Sequence, residues 1–261
     1  MIFRSLLSAV LVVAFCCTGV NAQINRDAPM GAPTIDGVIS AAEAASQLVV
    51  PMSWPMATGW EIPGNEPSAA ELSATWYVSW DASNLYISAD VKDNSQDWTS
   101  ADGGPYNGQD TVQPTFAPHN DPGCAFSPGG GCAAIYDLAI DNGDGGGPGI
   151  YRHGPSGWDA STVTVAGTKD GTAGYVIESA IPWATAMDDA SYVPATGDVH
   201  GLSFILVSQT PSTILYTDFG NGANTIGTPS SWNSITLVPE PGTLCLLVVG
   251  SLLLLARRRN R

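Results

Sequence analysis

From Leu72 to Trp80 the chain alternates without a break: Leu72, Ala74, Trp76, Val78 and Trp80 fall on one side, Ser73, Thr75, Tyr77 and Ser79 on the other. After Asp81-Ala82-Ser83-Asn84 the alternation resumes, with Leu85, Ile87, Ala89 and Val91 set against Tyr86, Ser88, Asp90 and Lys92. A side-chain period of two on both sides of a short polar turn predicts an antiparallel hairpin with one buried face, and puts Trp76 and Trp80 in the core. Further strands are predicted at Thr111–Phe116, Ala134–Ile140, Thr162–Thr168, Tyr175–Ile181, Gly201–Gln209 and Ser234–Val238. Gly, Pro, Asp and Asn fill the gaps between them. One helix start is legible, the capping box Ser40-Ala41-Ala42-Glu43. Many half-buried strands without long helical periodicity predict an all-β fold, an antiparallel two-sheet β-sandwich of jelly-roll type, in a single domain.

Two apolar runs stand outside this pattern, one at each end. Arg4 is followed by the run Leu6–Cys17 and then by Val20-Asn21-Ala22. That is the layout of a secretory signal peptide, residues 1–22, with cleavage expected after Ala22. At the other end, Pro239-Glu240-Pro241 leads into the apolar stretch Thr243–Ala256 and the basic tail Arg257-Arg258-Arg259-Asn260-Arg261. As a helix the stretch would span roughly 21 Å, against a hydrocarbon core of about 30 Å. The arginines are expected on the cytoplasmic side. Pro-Glu-Pro, a short apolar helix and a basic tail resemble the PEP-CTERM sorting signal, here residues 239–261. The resemblance implies recognition by an exosortase-type processing enzyme, transient membrane anchoring through the C-terminal transmembrane helix, and delivery to the cell surface or extracellular matrix. An ordinary tail anchor is the alternative.

Between the signals lies a body, residues 23–238, that holds 23 of the 24 acids and only four bases, Arg26, Lys92, Arg152 and Lys169, a net charge of −19. Such a body is repelled by phosphate backbones, which excludes nucleic acid as a partner. Two of its residues are cysteines, Cys124 and Cys132, flanking a Gly-rich loop. In an exported domain this pair is expected to form a disulfide. Asp141-Asn142-Gly143-Asp144-Gly145 offers oxygen ligands on a flexible loop; Asp141 and Asp144 are the candidate ligands for calcium, with a solvated turn as the alternative. Asp93, Asp97 and Asp121 are weaker candidates. The three histidines, His119, His153 and His200, sit in no triad or metal motif, so no enzyme is predicted.

Several segments follow one another in a familiar order: Pro33-Thr34-Ile35-Asp36-Gly37, the hairpin, Gln109-Asp110-Thr111-Val112, Gly174-Tyr175-Val176-Ile177-Glu178-Ser179-Ala180-Ile181-Pro182-Trp183, and Gly201-Leu202-Ser203-Phe204. The succession resembles the family-9 carbohydrate-binding module and its DOMON-like relatives. The resemblance implies a β-sandwich, sugar binding and structural calcium. In the sugar-binding members two tryptophans sandwich a sugar; Trp232 suits the second, and Tyr106 stands nearest the first. Gln113 takes the place of a glutamate, and Asp137 is the nearest match to an arginine of the next strand. Trp98 and Trp158, in polar glycine-containing loops, are further candidates for contact with a polysaccharide or exopolysaccharide. The expected function is a non-catalytic, carbohydrate-binding surface or matrix protein. Alternatives are a structural or adhesive exoprotein without sugar binding, and an accessory part of a carbohydrate-degrading system.

Overall fold

A computed structural model describes residues 24–53, 58–61, 68, 70–94, 110–121, 134–140, 148–153, 162–171, 173–209, 212–217 and 233–240. In chain order the described strands are β1 (Asn25–Pro29), β2 (Leu48–Ser53), β3 (Thr58–Glu61), β4 (Leu72–Trp80), β5 (Asn84–Asp93), β6 (Thr111–Ala117) and β7 (Ala134–Ala139). They continue with β8 (Gly149–His153), β9 (Thr164–Asp170), β10 (Gly174–Pro182), β11 (Val199–Gln209), β12 (Ser212–Thr217) and β13 (Asn233–Val238). Among the described residues two short helices, α1 (Ala41–Ala45) and α2 (Trp183–Ala186), and a 3₁₀ turn at Pro118–Asn120 accompany the strands.

The strands form two sheets. One has five strands in the order β2-β4-β5-β10-β9. The other has eight: β1-β13-β11-β6-β7-β8 along its path, with β12 also on β11 and β3 on β12. The alternating hydrophobics of β4 and β5 face inward against Val112, Phe116, Leu138, Leu202, Phe204 and Leu206 of the larger sheet. Trp76 is stacked on Phe204 at 4.4 Å between ring centroids and ties the two sheets at their centre. Trp80 is equally buried, and its Nε1–H donates to the carbonyls of Ala28 (3.0 Å) and Val238 (3.1 Å).

Every strand predicted from alternation is present, and the capping box at Ser40 is formed in full. The strand expected at Thr162–Thr168 runs two residues later, over Thr164–Asp170. β1, β2, β3, β8 and β12 lacked a signal because they are short or carry proline. Pro51 is tolerated since β2 is an edge strand, where a missing N–H breaks no ladder. One correction concerns the hairpin's outer face. Tyr86 and Ser88, expected on the solvent side, are buried. The chain after β1 folds back over this face and is fastened to Glu178, the cross-strand partner of Ser88.

The register also fixes which loops share an end. β1 is parallel to β13, with Asn25 opposite Ser234 and Pro29 opposite Val238. β1 therefore runs beside β13 toward the end of the sandwich from which the C-terminal tail leaves, with Asn25 in the same cross-strand row as Gly201 and Ala117. Trp80, Pro182, Ala117 and Val199 lie at the tail end; Asp93, Gly174, Asp170, Thr111 and Ala139 lie at the far end.

Candidate functional site

Strand alternation gives the eight-stranded sheet a second face, opposite the core. On β6 that face carries Thr111, Gln113 and Thr115, and on β11 it carries Ser203, Ile205 and Val207, paired across as Ser203–Thr115, Ile205–Gln113 and Val207–Thr111. All six are buried, although none belongs to the core cluster. Gln113 Nε2–H donates to Thr111 Oγ1 at 3.3 Å, and Thr115 Oγ1–H donates to the Ser203 carbonyl at 3.1 Å. The pairs Val112–Leu138 and Thr115–Ile135 on either side bring Asp137 of β7 opposite Gln113. The next pairings extend the row to Tyr151 on β8, and from Ile205 to Tyr216 on β12. Gln113 is thus the centre of a cross-strand row whose backbone positions hold Tyr151 and Asp137 on one side and Ile205 and Tyr216 on the other. The sequence reading singled out Gln113 and Asp137 but missed the row, because β8 and β12 were not foreseen.

Of the other expected site residues, Tyr106, Trp98, Trp158, Trp232, Asp141, Asp144, Cys124 and Cys132 lie outside the described residues. Asp97 does too; Asp121 is exposed after the 3₁₀ turn.

At the far end of the sandwich, Asp93 and Asp110 are both buried, as is Tyr175. Burial pushes the Tyr175 phenol well up, and the two carboxylates add to the shift, so the three groups converge. Asp110 precedes Thr111, whose partner Ala139 ends β7 just before the Asp141–Asp144 segment of the chain. Among the described residues no group of three or more His, Cys, Asp or Glu side chains is arranged to hold a metal ion. Two buried carboxylates are hard oxygen donors of the kind calcium takes.

The family-like motifs have scaffold roles. Glu178 Oε2 accepts the N–H groups of Asp36 (3.2 Å), Gly37 (2.7 Å) and Val38 (3.1 Å), so the Ile35-Asp36-Gly37 opening and the Tyr175–Trp183 stretch are one latch. Burial raises the Glu178 carboxyl's pKa, and the three donors pull it back. Gly37 has φ +85°, and a Cβ there would come within 2.8 Å of Thr168 Oγ1. A Cβ on Gly174 would meet the Val91 carbonyl oxygen at 1.9 Å. Trp183 is buried, its Nε1–H donating to the Asp81 carbonyl at 2.9 Å.

At the tail end, two of the histidines meet. The His119 backbone N–H donates to His200 Nδ1 (3.2 Å), and Tyr192 OH lies 3.1 Å from His200 Nε2. Tyr192 spends its one proton on Asp198 Oδ2 (2.6 Å), so it can only accept from His200. His200 is therefore neutral, with its proton on Nε2. Burial, aided by His119 and opposed by Asp198, pushes its pKa down to about 4. Both ring nitrogens are engaged, which leaves no lone pair for a metal and none for a substrate.

Comparison with known proteins agrees with this architecture. Residues 52–237 match the carbohydrate family 9 binding domain-like family, and residues 237–260 match the PEP-CTERM protein-sorting motif. The fold is similar to a carbohydrate-binding module of family 9 from Caldicellulosiruptor kristjanssonii solved in complex with cellotriose. The TM-score is 0.58 at 19% identity, covering 83% of this chain and 95% of that one. A structure of a family 9 module from the same organism in complex with glucose gives a TM-score of 0.57 at 18% identity, covering 83% and 96%. No curated protein matches the chain.

Proposed function

Because the chain belongs to the carbohydrate family 9 binding domain-like family, we propose that it is an exported, non-catalytic protein that binds glycan on the outer face of its eight-stranded sheet. The match over residues 52–237 carries the reading. The row through Gln113 supports the location, since an amide offers both a donor and an acceptor to sugar hydroxyls. Trp232 and Tyr106 supply the stacking rings in this proposal, with Trp98 and Trp158 as outer contacts and Asp137 beside Gln113. The sorting motif at residues 237–260 supports processing by an exosortase-type enzyme and display at the cell surface or in an extracellular matrix. Removal of residues 1–22, a transient C-terminal membrane helix and a Cys124–Cys132 bridge belong to the same proposal. Among the described residues no helix is long and apolar enough to cross a membrane. The test is retention on a panel of immobilised polysaccharides. Retention that falls on Trp232→Ala without loss of melting temperature supports the reading, and no retention on any member overturns it.

One observation favours the rival reading, a sandwich kept for structure alone. Gln113 is only 9% exposed, and one of its two amide N–H groups is already given to Thr111. Sugar binding therefore requires Gln113 to be reached by a ligand seated tightly over it.

Calcium belongs to the same proposal, with Asp93 and Asp110 as ligands beside Asp141 and Asp144. A site of this kind stabilises the folded state by about 2.7 kcal/mol when calcium stands at 100 times its Kd. Chelation should therefore lower the melting temperature, and added calcium restore it. An unchanged melting temperature in excess chelator contradicts a structural site.

A further inference from the structure

The five-stranded sheet has its own outer face, and there the chain leaves a cavity of about 800 Å³. Its floor is Val176 and the bare backbone of Gly174. Gly174 must be bare, since a Cβ would strike the Val91 carbonyl oxygen, and this opens the space between Lys92 and Asp170. The register sets the walls. Val176 lies between Asp90 on β5 and Thr168 on β9, and Gly174 lies between Lys92 and Asp170. The latched loop, through Val38 and Ile39, closes one end; Ala70, Asn94 and Ala173 border the other. Tyr77, half-buried on the same face, is close enough to Asp90 for that carboxylate to raise its phenol further after burial has done so. Val38 stands 56% exposed at the rim.

We propose that this groove is a second glycan site, on the opposite sheet from the first, that takes a neutral, extended oligosaccharide chain. The inference rests on the glycan-binding reading and adds a site to it. A sugar ring presents apolar C–H faces and a rim of hydroxyls that donate and accept. The groove matches both, with an apolar floor and walls that alternate carboxylate, ammonium, hydroxyl and amide. Its size lies within the range of about 300–1,000 Å³ found for small-ligand pockets. The charges around it, Asp90 and Asp170 against Lys92 and Lys169, cancel within a body whose net charge is −19. Half of the body's four bases are gathered here. An anionic glycan would meet a repelling body and no net positive wall, so the neutral chain is favoured. The groove lies toward the far end of the sandwich, away from the tail, so a module tethered by its C-terminus presents it outward. With one site on each sheet, a single module would bridge two chains of a matrix.

The experiment is hydrogen–deuterium exchange with mass spectrometry on the full-length chain, with cellohexaose, xylohexaose and mannohexaose added in turn. The expected result is slowed exchange with at least one of them over residues 88–94 and 164–176. The double variant Lys92→Ala/Asp170→Ala should lose that protection and bind the same glycan about tenfold more weakly. Both side chains are exposed, so the melting temperature should hold. Protection confined to β6 and β11 overturns the second site and leaves the first standing. Protection nowhere, with any of the three, removes both. Protection of residues 88–94 and 164–176 that survives in the double variant also contradicts the proposal, because the walls would then not be what holds the chain.

Discussion

At the scale of single residues, two tryptophans on one strand do different work. Trp76 and Trp80 both point inward from β4 and both are essentially without exposure. Trp76 packs flat on Phe204, but its buried Nε1–H has no hydrogen-bond partner among the described residues. Trp80 donates to two carbonyls, at Ala28 and Val238, and so fastens the first and last strands to the smaller sheet. Replacing either with phenylalanine removes similar volume, but only Trp80→Phe takes away hydrogen bonds, one to the buried Ala28 carbonyl and one to the half-buried Val238 carbonyl. Trp80→Phe should therefore cost about 1–2 kcal/mol more than Trp76→Phe in urea unfolding. Equal costs would mean that the Trp80 bonds contribute nothing beyond packing. The alternation of β4 revealed that both rings are buried. It could not reveal which indole N–H is satisfied, because the acceptors come from residues 52 and 158 positions away in sequence.

At the scale of elements, the sandwich is held shut by two latches that the sequence showed only as separate motifs. One is Glu178 with the N–H groups of Asp36, Gly37 and Val38. The Ile35-Asp36-Gly37 and Tyr175–Trp183 stretches were legible as family-like markers, but not as partners, since 140 or more residues separate donor from acceptor. The other latch is at the tail end, where His200 of β11 accepts from His119 of the 3₁₀ turn and donates to Tyr192. Asp198 holds Tyr192, while Phe116 and Trp183 flank the ring. Protonation at Nδ1 would set one N–H against another and break the His119 bond. The pKa of His200 is about 4 in the folded protein, below the ordinary histidine value of 6.5, so the unfolded chain binds the extra proton first. This contribution to stability is full above pH 6.5 and is lost as pH falls toward 4, by up to about 3 kcal/mol. The melting temperature should fall over that window, and the fall should be shallower in His200→Gln. A nitrogen NMR spectrum at neutral pH should find the His200 proton on Nε2; a proton on Nδ1 would contradict the latch. From sequence the histidines looked scattered, because long-range pairing of β6 and β11 is what brings two of them together.

For the whole molecule, the fold class and every strand of strong alternation were legible, and the glycan site much less so. Periodicity encodes which face of a strand is buried, and that sufficed for two sheets and a core. A binding face is set by register between strands distant in sequence, as where Gln113 of β6 meets Ile205 of β11, and alternation carries no information on register. The aromatic candidates sit in Gly- and Pro-rich segments, where no periodic pattern constrains them. The described architecture does give the molecule a direction. The tail leaves beside Pro29, while Asp93, Asp110 and the groove of the five-stranded sheet gather at the other end. A protein anchored by its C-terminus would therefore turn its acidic, groove-bearing end toward the surroundings and its histidine latch toward the cell.

The measurement that bears most directly on the central claim is a calorimetric titration of the exported body, residues 23–238, with cello-oligosaccharides and other soluble glycans. The wild type should bind at least one of them. Gln113→Ala should bind the same glycan about tenfold more weakly, a loss of about 1.4 kcal/mol, with a melting temperature close to wild type. Binding by the wild type that is unchanged in Gln113→Ala would contradict the placement of the site on the eight-stranded sheet, and heat released with no glycan at all would contradict the function itself.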